Sequence, residues 1–450
     1  MTTTVDPTPN PNGDAPASEV LLTPPVVGST QVAPAAEVTA PISLEKVRFR
    51  GPLRRLTISN LVTNIGIFAL WGAIPGILLP LQVQGIDAAN KVANLSIVLT
   101  IGAFAAMLAQ PLAGMVSDRT RSRFGRRAPW MVGGALVGGL ALIGIASANT
   151  IIQIAIAWTI VQVAYNFTQG PLSAILPDRV PNGARGLFSA ITGLGTMLGA
   201  IGGQIVASKF TANIPAGYLF LAGIVLVLVV AFVLINPDRS NRDEPLTKFS
   251  LVTFLKTFWV NPITFPDFFW GFAGRLLLFI GYYLVSGYQL YILSDYIGLG
   301  DKAAAAVPAI GGVSLIGIII SMLIGGPLSD KLRRRRAVAV AAGVIMAVSL
   351  LVPLLVPSMT GMLVFAFLNG IGFGAYMSVD GALMSEVLPS KQDFGKDLGV
   401  LNIAATLPQT LGPALAGVVV LAFGYSALFP IGAVIALVGA IAVIPIKSVR

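Results

Sequence analysis

Two residues of opposite charge stand where charge is costly. Arg275 lies in FWGFAGRLLLFIGYYLVS and Asp380 in AYMSVDGALMSEVLP, each within an otherwise apolar run. An arginine at the centre of a membrane helix costs at least about 2.5–3.5 kcal/mol, so it is expected to face a polar cavity or a counter-ion. The chain contains no histidine and no cysteine. Imidazole and thiolate chemistry are therefore excluded, and proton work falls to carboxylates. Burial favours a neutral carboxyl and a neighbouring guanidinium favours the charged one, so a changing Arg275–Asp380 separation would load and release a proton at Asp380. The same two residues could instead form a static ion pair between helices, and the sequence leaves both open. Glu386, nearer its helix end, is the weaker proton carrier.

Polar and aromatic residues recur at i, i+4, i+7 and i+11, which places them on one helix face. One segment carries Asn60, Asn64 and Trp71; a second carries Trp158, Gln162, Tyr165, Asn166 and Gln169; a third carries Arg275, Tyr282, Ser286 and Gln289; a fourth carries Asn369, Phe373, Tyr376 and Asp380. Amides and hydroxyls suit a hydroxyl-rich solute, and an indole supplies an apolar face. Of these, Asn60, Asn64, Trp71, Trp158, Gln162, Tyr165, Asn166, Gln169, Tyr282, Gln289, Asn369 and Tyr376 are the expected substrate contacts, although side-chain bonds that merely join helices, each contributing about 0.6 kcal/mol, would leave a similar pattern. Tyr288, Tyr291 and Tyr296 lie near a helix end and are expected to form part of an aromatic belt.

The elements that position these residues follow from composition. Apolar residues make up 55% of the 450 and charged residues 11%, against about 25% charged in a soluble domain. Apolar runs of about twenty residues, each able to cross roughly 30 Å of hydrocarbon, give twelve candidate spans from about residue 56 to about residue 446. The expected fold is an all-α membrane protein with a tail at 1–54, a six-helix bundle at 55–236, a linker at 237–268 and a second bundle at 269–450. The tail, rich in Pro, Thr, Ala and Val, lacks a signal-peptide pattern and is expected to be disordered.

All but four of the 29 Lys and Arg fall in the termini or in the loops on the termini's side; the exceptions are Lys91, Lys209, Lys302 and Arg275. Cytoplasmic loops collect cations, so both termini are expected in the cytoplasm of a multi-pass plasma-membrane protein, bacterial in source. The net charge of +10 is dispersed among these loops, which argues against a nucleic-acid partner. On this topology Arg275 and Asp380 lie about 9 and about 12 Å inside the same membrane face at 1.5 Å per residue.

The chain repeats itself. PLAGMVSDR, ending at Arg119, faces GGPLSDK, ending at Lys331, and AYNFTQGPLSAILP faces AYMSVDGALMSEVLP. Both pairs are about 210 positions apart, the mark of two parallel halves with a site between them near the midplane. The stretch Gly114, Asp118, Arg119, Gly125, Arg126 and Arg127 resembles the loop motif of the major facilitator superfamily. SRFGRR at 122–127 and GKDLGVLNIAATLPQ at 395–409 are similar to the glycoside-pentoside-hexuronide:cation symporter branch and to sucrose–proton symporters.

That resemblance implies a twelve-helix fold with spans 1, 4, 7 and 10 around a central passage. It implies a cytoplasmic gate in which Asp118, Arg119, Arg126 and Arg127 latch the halves together, with Asp330 as the symmetric acid. Anchoring alone explains the arginines but not a repeated acid. The chain departs from the branch in two places. Spans 1 to 6 have no interior acid, which argues against sodium coupling, and Gln162, Asn166 and Gln169 stand where plant sucrose carriers have charges, which argues against sucrose itself.

Close GxxxG spacing at Gly195, Gly199 and Gly203 predicts tight helix contact, and Pro75, Pro111, Pro171, Pro408 and Pro413 interrupt helical bonding. No nucleophile–base pair, metal-ligand cluster or phosphate loop is present, so neither enzyme chemistry nor a cofactor or metal is expected. The expected function is proton-coupled symport of a small-molecule sugar or glycoside by a monomer in the lipid bilayer. A proton-driven exporter of amphipathic compounds and a non-transporting sensor are the alternatives.

Overall fold

The computed structural model describes residues 51–238, 240–242, 264–332, 334–387, 394–446 and 448, all within one compact unit, Val47–Arg450. Nearly all of the expected tail and most of the linker lie outside the described residues. Among those described there are helices and no strand. We number the long ones α1 Pro52–Ile86, α2 Lys91–Arg119, α3 Ala128–Ala146, α4 Ile151–Ser173, α5 Arg185–Ala207 and α6 Ile214–Ile235. The second set is α7 Pro266–Ser286, α8 Ala303–Leu332, α9 Arg335–Leu355, α10 Met359–Glu386, α11 Phe394–Phe423 and α12 Leu428–Ala442.

Eleven of these are long and apolar enough to cross a membrane, and α11 contains a shorter apolar stretch, Leu407–Phe423. Their ridges of Leu, Ile and Val point outward as well as inward: Leu140, Ile152 and Leu323 are 67–72% exposed. Such a surface is unstable in water and stable in lipid.

The helix packing repeats. In the first half α1 packs on α5 and α6, α3 on α4 and α6, and α2 on α4; in the second, α7 packs on α11 and α12, α9 on α10 and α12, and α8 on α10. Every pair in one set has its counterpart six helices later. The halves meet along two seams, α2 with α11 and α5 with α8, which exchange under the same operation.

Two local features matter for the site. Pro75 has no N–H to donate, and the ladder of α1 slips to a π turn at Ile74–Leu78, where Leu79 N bonds to Ile74 O. Gly195, Gly199 and Gly203 of α5 lie against α1; a Cβ on Gly203 would stand 1.9 Å from Ala69 O. Only glycines allow backbones this close, and the contact holds α1 at a fixed depth beside α5.

Candidate functional site

Arg275 on α7 and Asp380 on α10 meet. Arg275 Nη2 is 3.2 Å from Asp380 Oδ2, with the side chains 14% and 6% exposed. The guanidinium also lies over the Phe279 ring, 5.6 Å from its centroid. Around the pair Tyr282 stacks on Phe373 at 4.5 Å, and Phe279 meets Phe373 at 5.6 Å and the edge of Tyr376 at 6.0 Å. The second-half wall is therefore an aromatic cluster with one ion pair at its edge.

The first half supplies a matching cluster from α1 and α4. Trp71 Nε1 donates to Gln169 Oε1 at 3.2 Å, and the Trp71 ring meets Trp158 and Tyr165 edge-on at 6.1 and 6.3 Å. Trp158 fits because position 102 on α2 is glycine, where a Cβ would come within 2.5 Å of the indole. Trp158 Nε1 and the Tyr165 hydroxyl are buried without a protein partner. Gln162 and Asn166 are half-buried; Asn166 Nδ2 donates to Gln162 O at 2.8 Å. Gln289, also half-buried, opens the short turn Gln289–Tyr291 after α7.

Three amides expected at the passage are spent on the protein instead, two on neighbouring helices and one on the backbone of its own helix. Asn60 Nδ2 donates to Thr192 Oγ1 of α5 at 2.8 Å, Asn64 Nδ2 donates to Asn60 O at 2.8 Å, and Asn369 Nδ2 donates to Ser349 Oγ of α9 at 3.1 Å. All three residues are buried. On α1 and on α10 alike, these amides meet protein.

A second charged network lies at the end of the first half that carries Arg127. Arg127 Nη2 contacts Asp118 Oδ1 at 2.7 Å and Asp178 Oδ2 at 3.0 Å, its Nη1 donates to Ser117 Oγ at 2.7 Å, and Arg126 Nη2 contacts Asp178 Oδ1 at 2.8 Å. Arg119 is engaged as well. Asp178, in the short helix Ile175–Arg179, is the hub that sequence reasoning missed. Gly125 turns the loop with φ 80°, leaving space that Asp238 fills. Asn241 Oδ1 accepts from Ser122 N at 3.1 Å while its Nδ2 donates to Thr120 O at 2.9 Å, strapping the start of the linker to the loop. The partners named for Arg126 and Arg127 all lie within the first half. In the second half Arg335 pairs with Glu386, and the side chain of Asp330 lies outside the described residues.

The halves are joined at the opposite end. Lys91 Nζ reaches Asp295 Oδ2 at 2.8 Å, the Tyr291 hydroxyl donates to Pro80 O at 2.8 Å, the Tyr288 hydroxyl donates to Val92 O at 3.1 Å, and Ser96 Oγ donates to Pro413 O at 3.3 Å. Tyr288 and Tyr291 are 1% and 0% exposed. The expected aromatic belt is overturned for these two: they close a seam, because their helix face points at the other half. Tyr296 is partly buried and donates to Pro353 O at 3.1 Å.

Residues 56–320 and 301–449 match the family model of the Major Facilitator Superfamily. The sucrose transport protein SUC4 of Arabidopsis thaliana is 27% identical over 385 residues, covering 70% of this chain and 75% of that protein. Among solved structures, a POT family transporter in complex with a thioalcohol-conjugated peptide superposes with a TM-score of 0.70 at 14% identity, over 87% of this chain and 95% of that one. The nucleoside transporter NupG gives 0.65 at 17%, over 87% and 98%. At these identities the two structures speak for the fold alone. Matched along both halves of a duplicated helical bundle, the chain belongs to the Major Facilitator Superfamily and is a membrane transporter, not an enzyme.

Proposed function

We propose that this transporter is a proton-coupled symporter of a sugar or glycoside, working by alternating access, with α11 also crossing the membrane to complete twelve spans and both termini in the cytoplasm. The observation that carries the proposal is the buried Arg275–Asp380 ion pair between α7 and α10. A carboxylate held by a guanidinium away from bulk water is the group whose protonation can be made to depend on conformation. The Lys91 end is then the outer side, and its closed seam corresponds to an inward-facing state, with the halves held together at that end. In the outward-facing state the motif latches them.

The sugar reading draws support from the similarity to a sucrose transport protein and from the Trp71–Gln169 cluster with its unpartnered Trp158 N–H and Tyr165 hydroxyl. Trp71, Trp158, Gln162, Tyr165, Asn166, Gln169, Tyr282 and Gln289 are the proposed substrate contacts. A second reading, proton-driven export of amphipathic compounds, is favoured by the aromatic wall of Phe279, Tyr282 and Phe373. The test is uptake of labelled mono- and disaccharides into proteoliposomes with and without an imposed pH gradient. Accumulation of a sugar only with the gradient is expected; a sugar panel that never accumulates sinks the symport reading.

A further inference from the structure

The charge pair leaves three polar atoms over. Arg275 Nε, Asp380 Oδ1 and the Tyr376 hydroxyl are all buried, and none has a hydrogen-bond partner within the protein. Tyr376 and Asp380 are one helical turn apart on α10 and are 1% and 4% exposed. The hydroxyl lies beside the carboxylate without the geometry of a hydrogen bond to it. Phe279 closes the site on another side, against both the Arg275 guanidinium and the Tyr376 ring.

The leftover atoms are complementary as a set. Arg275 Nε–H donates, Asp380 Oδ1 accepts and the tyrosine hydroxyl does both. Buried polar groups are rarely left unpaired, and an enclosed water molecule makes about three hydrogen bonds. A single water placed among the three would satisfy them all.

We propose, building on the proton-coupling reading above, that Arg275, Tyr376 and Asp380 hold a single water molecule, oriented by the Tyr376 hydroxyl, which relays the proton to Asp380. In the uptake step the water gives one proton to Asp380 Oδ1 and accepts one from a hydronium ion in the passage. One O–H bond on the water breaks as another forms, and the net change is one proton gained by Asp380. The neutral carboxyl then loses its ionic hold on Arg275. Among the described residues, the charged and titratable groups facing Asp380 are Arg275 from α7 and Tyr376 from its own helix. The helices α8 and α9 also pack on α10, and their described charged residues, Lys331, Arg334, Arg335 and Arg336, lie at or beside the helix ends. Tyr376 becomes a positioning residue for the proton rather than a substrate contact.

The test uses the full chain in proteoliposomes and Tyr376→Phe, which keeps the ring and removes the hydroxyl. Infrared difference spectra between about pH 5 and about pH 8 are recorded in ordinary and oxygen-18 water. The wild type is expected to show an isotope-shifted water O–H band that Tyr376→Phe lacks, and the carboxyl band identified by its loss in Asp380→Asn is expected to move in Tyr376→Phe. Gradient-driven accumulation of the labelled sugar panel falls about tenfold in Tyr376→Phe while exchange stays within about twofold. An unmoved carboxyl band, or a raised exchange KM with coupling intact, overturns the proposal and returns Tyr376 to the substrate site. Accumulation lost in Asp380→Asn but full in Tyr376→Phe sinks this proposal alone, whereas accumulation retained in Asp380→Asn sinks the coupling reading with it.

Discussion

Lys91 Nζ lies 2.8 Å from Asp295 Oδ2, tying the start of α2 to the turn that follows α7 and so one half of the bundle to the other. The Tyr425 hydroxyl donates to the same carboxylate at 2.9 Å, and Lys91 also stands over the Tyr291 ring at 4.8 Å. Breaking this contact should let the outer seam open. The chain has no cysteine, so a single introduced thiol reports accessibility without background. In a Ser96→Cys background, adding Asp295→Asn is expected to raise labelling by an impermeant maleimide up to about fivefold, the range of a partly exposed ion pair. Equal labelling in both proteins would show that the pair does not hold the seam.

The same carboxylate sets the pH range of that lock. Burial alone raises Asp295, but hydrogen bonds from Lys91, Ser294 and Tyr425 and the lysine charge outweigh it and hold the group below the usual carboxylate range. A depressed carboxyl stabilises the closed seam at pH values above its unperturbed pKa, and that stabilisation is lost only as pH falls through the lowered one. Labelling of Ser96→Cys should therefore be insensitive to the Asp295 charge from about pH 5 to about pH 8. A rise near pH 6 that Asp295→Asn abolishes would contradict the assignment.

At the other end Asp178 should matter more than Asp118. Asp178 meets both Arg126 and Arg127 and its side chain is 22% exposed, whereas Asp118 meets Arg127 alone in these contacts and is 56% exposed. Asp178→Asn takes one of two carboxylate partners from Arg127, whose own side chain is 11% exposed, and the carboxylate that Arg126 contacts as well, at a cost of about 1–3 kcal/mol. Thermal unfolding in detergent is expected to show the larger fall in Tm for Asp178→Asn. The reverse order would mean that the network's stability rests on Asp118.

Sequence patterns carried some of these relationships and hid others, for identifiable reasons. Arg275 and Asp380 were legible because charge inside a hydrocarbon layer demands a partner, and few candidates exist. The duplication was legible in SDR and SDK, and it recurs in the helix packing. Asp178 was hidden because ILPDR follows a proline-containing span and has the composition of a loop; only folding turns it toward Arg127. Tyr288 and Tyr291 were misplaced because distance from a helix end gives depth and says nothing about which neighbour a face meets. Asn60, Asn64 and Asn369 show the same ambiguity, since a polar stripe fits a helix seam as well as a passage.

Asp380→Asn separates coupling from transport. The substitution keeps the side chain's size and removes its charge and its proton, so Arg275, already held over Phe279, loses its counter-ion. Exchange of substrate down equal pools needs no net proton movement and should persist. Accumulation driven by an imposed pH gradient should vanish. A mutant that still concentrates substrate under that gradient would remove Asp380 from the proton pathway.

The α1–α5 contact gives a stability prediction that depends on neither substrate nor proton. A methyl group on Gly203 would meet the backbone oxygen of Ala69 at 1.9 Å, and main chain cannot move aside as a side chain can. Gly202, the adjacent residue, has nothing within 4 Å of the same position. Gly203→Ala should therefore cost about 1–3 kcal/mol as overpacking, while Gly202→Ala gains from the higher helix propensity of alanine. Thermal unfolding should show a lower Tm for the first and an unchanged or higher Tm for the second. Because the two sites differ by one position along α5, a shared response would mean that the helix face against α1 is rotated from the one described, and with it the depth at which Trp71 meets Gln169.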